Sequence, residues 1–96
     1  MFSDIPFDPA HSGGEELEKH LLRLGMIHEL DAINFCEQMA ALSADPSVQA
    51  AFRRVAADEK QHMGEFETLL LRHDSEQTKE LGEGTEAVES AEKKGI

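Results

Sequence analysis

From Glu15 to about Leu42, apolar residues recur every three or four positions, at Leu17, Leu21, Leu24, Met26, Ile33, Phe35, Met39 and Leu42. That period, unbroken by proline, predicts an amphipathic helix. Gly25 interrupts it at a cost of ~1 kcal/mol relative to alanine, so it marks either a close contact or a tolerated weakness. The stretch "SADPS" ends the pattern. Asp45 suits an N-cap, and Pro46 suits the first helical position, where its missing N–H is no loss. A second period then runs from about Pro46 to His73 through Val48, Phe52, Val55, Met63, Phe66, Leu69 and Leu70. Arg72 and His73 fall at its end, where the helix dipole favours cations. Two long helices with a short connection predict an antiparallel hairpin over residues 14–74.

The flanks lack this regularity. Residues 1–13 hold Pro6, Pro9 and Gly13 and predict an irregular arm. Residues 75–96 predict a short helix near Glu76–Leu81, broken by Gly82 and Gly84. Beyond the break lies a last helical turn or two, or a solvated acidic tail. A two-helix hairpin leaves its apolar stripes uncovered. A second copy of the chain is the natural cover, so the expected fold is all-α, two hairpins forming a four-helix bundle.

Composition narrows the function classes. With 96 residues, one domain with a modest core is expected, of the size that leans on metal or oligomerisation. The net charge of −11 argues against nucleic acid or an anionic membrane surface as partner and is compatible with attracting cations. No stretch approaches the ~18 apolar residues of a membrane span. Cys36 is the single cysteine, which fits a reducing compartment. No basic segment followed by an apolar run opens the chain, and a cytoplasmic protein is expected.

The candidate chemistry lies where the apolar stripes are interrupted. On the first helix, Glu29 sits among Leu22, Gly25, Met26, Ala32, Ile33 and Cys36. On the second, Glu59 follows Phe52, Val55 and Ala56, and His62 lies one turn further on the same side, before Met63 and Phe66. A lone buried carboxylate is costly and demands a partner. One account is ion pairing, within Glu59–His62 and between Glu29 and Arg53, Arg54 or Lys60. The other is a metal centre. Carboxylate-bridged di-iron bundles take one Glu from each of two helices and Glu-x-x-His from each of the other two. One chain supplies half of that set, so the count closes only in a dimer. Glu65, three residues past His62, is a candidate secondary contact. Glu/His donors also accept manganese and zinc.

The segments "IHELDAINFCEQ" and "SADPSVQAAFRRVAADEKQHMGEFETLLLRHD" resemble the encapsulated ferritin family over about residues 18–75. The resemblance implies a half-ferritin hairpin whose iron ligands are Glu29, Glu59 and His62. It further implies a ferroxidase centre completed between two subunits, an annular decamer of dimers, and oxidation of Fe(II) by dioxygen for iron storage or detoxification. Packaging inside an encapsulin shell is implied too, although "ESAEKKGI" holds no Gly-Ser-Leu-type docking peptide. Phe35 and Cys36 stand where the family has a Trp-Tyr pair, so Cys36 is a small hydrophobe, a redox-active neighbour or an extra soft ligand. The family's acidic positions on the approach to the metal fall on His28 and Asp31. The segment after Asp74 departs from the family's third helix.

Two other readings use the same residues. A rubrerythrin-like peroxide-reducing di-iron protein would need an electron-delivery module, and the chain has no Cys-x-x-Cys. A non-catalytic bundle would use the metal only to lock the dimer.

Overall fold

The computed structural model describes residues 14–96 and contains three helices: α1 (Gly14–Leu42), α2 (Pro46–His73) and α3 (Ser75–Lys94). The arm expected over 1–13 lies outside the described residues. α1 and α2 form the antiparallel hairpin. The turn between them is built as the sequence demands: Asp45 is extended (φ −89°, ψ 119°). Its carboxylate accepts from the N–H groups of Ser47 at 2.8 Å and Val48 at 3.2 Å, with Pro46 opening the helix. These bonds satisfy two donors that the first turn leaves without an intrahelical partner.

Along the hairpin the two apolar stripes meet. Cys36, Ala40, Ala56 and Leu70 are the buried apolar residues, and no large side chain is fully buried among the described residues. Phe35 and Phe52 pack edge to face, with centroids 6.3 Å apart and planes at 77°. The open end is tied by polar pairs instead. Glu15 reaches His73 at 2.8 Å, and Arg23 donates to Asp74 at 2.8 Å.

Asp74 is a one-residue joint. Its backbone leaves the helical region (φ −136°, ψ 89°), ending α2, and its carboxylate caps α3 by accepting the Gln77 N–H at 3.0 Å. α3 corrects the sequence-based expectation of a short helix or tail, because it runs straight through Gly82 and Gly84 to Lys94. Each glycine costs about 1 kcal/mol of helix propensity, which weakens a helix without ending it, and no proline follows Pro46. The helix has compensations: the Asp74 cap, a Lys79–Glu83 pair one turn apart at 3.5 Å, and a terminal Gly95 in the left-handed region at φ 73°. Gly95 and Ile96 donate their N–H groups to Glu92 and Ala91 carbonyls, closing the end.

Among the described residues, α3 has no buried residue and packs only against α2. The radius of gyration is accordingly 17.3 Å, against about 12.5 Å for a compact domain of this length. Leu21, Leu30, Phe35, Val55, Leu69 and Val88 remain exposed, so the apolar stripes of the helices are only partly covered among the described residues.

Candidate metal centre

Glu29, Glu59 and His62 come together at mid-hairpin, each offering one ligand atom, with these atoms all within 4.8 Å of one another. α1 brings Glu29 in from the middle of its buried stripe, and the residue is only 7% exposed. α2 brings Glu59 and His62 in from successive turns. His62 Nδ1 stands 3.7 Å from a carboxylate oxygen of Glu29 and 3.7 Å from one of Glu59. Both separations are too long for hydrogen bonds. Glu29 Oε2 is buried and has no hydrogen-bond partner.

That orphan oxygen bears on the two sequence-based accounts of Glu29, an ion pair or a metal centre. Lys60 does not reach it and pairs with Glu37 at 2.9 Å instead. Among the described residues, the only ion-pair neighbour of Glu29 is His62. Leaving a buried carboxylate oxygen unsatisfied costs about 1–3 kcal/mol or more. A cation among the three side chains would remove that cost. Two ligand atoms each about 2.1 Å from one ion lie no more than about 4.2 Å apart, so both 3.7 Å separations suit a shared ion. Two carboxylates and an imidazole are donors that iron, manganese and zinc all accept.

The centre is open on one side. Glu59 is half-buried, and the His62 side chain is 48% exposed. Val55 and Leu69, which flank the pair on the same face of α2, are exposed as well.

The other sequence candidates lie apart from this group. Cys36 is buried two turns beyond Glu29 on α1 and is not among the clustered ligand atoms. Glu65 faces solvent. His28 and Asp31 line a shallow concavity of about 510 Å³ along α1 with Ala32, Asn34, Phe35 and Gln38. One contact at the centre was only half legible in advance. Gly25, noted as an interruption, carries the Phe66 ring against its Cα.

No family model matches the chain. Its fold matches the crystal structure of the encapsulated ferritin domain from Pyrococcus furiosus with a TM-score of 0.80 and 46% sequence identity, over 96% of this chain and 90% of that one. The chain belongs to the encapsulated ferritin family. Such coverage is too large to leave out α3, so the third helix is shared in structure although its sequence departs from the family's. A ferritin-like–encapsulin shell fusion protein of Pyrococcus furiosus is 53% identical over 74 residues, 77% of this chain. An encapsulin nanocompartment cargo protein of Myxococcus xanthus, EncB, is 41% identical over 56 residues, 58% of this chain. The chain spans 21% of the length of the first relative and 35% of the second. Among the described residues, no helix is long and apolar enough to cross a membrane.

Proposed function

We propose that this chain is an iron-binding ferroxidase, which oxidises Fe(II) with dioxygen at a di-iron centre completed by a second copy of the chain. The observation that carries the proposal is the buried, unpartnered Glu29 oxygen facing Glu59 and His62. Each residue has a separate task. The two carboxylates supply the negative charge that draws Fe(II) out of water and that favours the ion more as it becomes Fe(III). The imidazole offers a neutral donor that keeps the bound charge near balance. Each Fe(II) gives one electron to dioxygen, so paired ions deliver electrons in twos.

The second copy follows from the open side of the centre. One chain brings half of a Glu, Glu, Glu-x-x-His, Glu-x-x-His set, and the exposed Val55, His62 and Leu69 lie where a partner would close over it. A dimer built this way is the unit from which an annular decamer would assemble. Similarity to a ferritin-like–encapsulin shell fusion protein and to an encapsulin cargo protein supports association with an encapsulin, inside which the iron product would pass to storage. The net charge of −11 would help concentrate iron near the protein.

The test is aerobic Fe(II) oxidation by the wild type, Glu29→Ala and His62→Ala, followed optically, with oligomeric state from light scattering. Both variants should lose most of the protein-dependent rate, and the wild type should be at least dimeric. Equal rates in all three would sink the assignment.

A further inference from the structure

Gly25 stands out among the described glycines in helix interiors. An added Cβ at Gly64, Gly82 or Gly84 would meet nothing within 4 Å. At Gly25 it would stand 3.1 Å from Cδ2 and Cε2 of Phe66 and 3.2 Å from Cγ. Ordinary carbon–carbon contacts lie near 3.5–4.0 Å, so the ring occupies space that any other residue would fill. The crowded atoms include the root of the ring, and turning its far edge alone would not relieve them.

The place of this contact gives it meaning. Glu29 lies one turn past Gly25 on α1, and His62 lies one turn before Phe66 on α2. In an antiparallel pair those two steps run in the same direction. Gly25–Phe66 and Glu29–His62 are therefore successive rungs of one ladder. We infer that Gly25 and Phe66 form a positioning pair: the ring seated in the glycine notch sets the spacing and register at which Glu29 meets Glu59 and His62. The inference rests on the metal reading of that cluster. Neither residue is a ligand, and both act through the distance between the ligand-bearing helices. A shift of a few tenths of an ångström one turn away uses up most of the roughly 0.5 Å of misplacement that a ligand constellation tolerates, enough to weaken binding without abolishing it. It also explains why a helix of this length keeps a residue that costs it about 1 kcal/mol.

The test is anaerobic titration of the full chain with Co(II), which takes similar donors and does not turn over with iron chemistry. It reads affinity, the ligand-field spectrum and the metal-free thermal midpoint. Gly25→Ala should bind Co(II) about tenfold more weakly, as losses of supporting contacts around metal ligands do, with an altered spectrum. Its metal-free midpoint should stay near that of wild type, because the gain in helix propensity offsets the cost of the crowded ring, a split that a merely structural role would not produce. Phe66→Leu should also weaken binding, and Gly25→Ala/Phe66→Leu should bind better than either single variant, because the Cβ and the smaller side chain refill the notch. Gly25→Ala binding like wild type, or effects that simply add in the double variant, would overturn the inference. If Gly25→Ala does not fold, the comparison of Phe66→Leu with the double variant decides in the same way. Glu29→Ala separates the two levels: wild-type binding that survives this change, or no wild-type binding at all, overturns the metal reading and the inference with it. Binding lost in Glu29→Ala but untouched in Gly25→Ala overturns the inference alone.

Discussion

Replacing Glu29 by methionine should stabilise the metal-free protein and destabilise it relative to wild type once metal is added. Methionine has nearly the same length, fills the same space and brings no charge. In the wild type, Glu29 is 7% exposed, its Oε2 has no hydrogen-bond partner, and the nearest imidazole nitrogen is 3.7 Å away. An unsatisfied buried group of this kind costs about 1–3 kcal/mol, and a charged one more. For a chain of this size, each 1 kcal/mol corresponds to about 4–8 °C in the midpoint of thermal unfolding. Glu29→Met in excess chelator should therefore melt at least about 4 °C above wild type. With metal at about 1,000 times its dissociation constant, the wild type gains about 4.1 kcal/mol, more than the penalty of about 1–3 kcal/mol that the variant avoids, and the variant forgoes that gain. The order of the two melting curves should then reverse. Circular dichroism melts at one fixed protein concentration provide the assay, since assembly would make the midpoint concentration-dependent. A variant that melts below wild type in chelator would refute the reasoning, because it would mean that the carboxylate is already well paired. Equal metal-induced shifts in both proteins would refute it from the other side.

Two further outcomes concern the joint and the third helix. The Gln77 N–H holds the Asp74 carboxyl below its ordinary value of 3.8, helped by the charges of Lys19 and Arg23 and the Arg23 hydrogen bond, against the opposing effect of burial. Because the folded-state value is the lower one, this contribution is present in full above the unfolded-state value and is lost as pH falls through the folded one. Thermal midpoints measured across the acid range should fall less steeply for Asp74→Asn than for wild type, from a lower starting point at neutral pH. In α3, Gly82→Ala and Gly84→Ala should each add about 1 kcal/mol of helix stability, since a Cβ at either site meets nothing within 4 Å. Amide hydrogen exchange along α3 should slow in each variant, and unchanged exchange would show that the helix opens by a route that bypasses these residues.

The long helices were legible in the chain because periodicity, an Asp-Pro start and an uninterrupted run of helix formers are local properties. Boundaries near Leu42, Pro46 and His73 follow from them and match the structure. α3 is longer than those local rules predict for the same reason. Gly82 and Gly84, two glycines in three residues, read locally as a break, and local rules alone do not reveal that Asp74 both ends one helix and caps the next. The candidate ligands could be named from spacing, since Glu59 and His62 share a face of α2 and Glu29 interrupts a stripe on α1. Their meeting could not. It depends on the register of the two helices, and register is a matter of which side chains interlock across the interface. Only the folded hairpin places Phe66 in the Gly25 notch, leaves Glu29 Oε2 without a partner, and sends Lys60 to Glu37 rather than to Glu29. Periodicity dictates which face of a helix turns inward. What that face then meets is decided by packing between segments far apart in the chain.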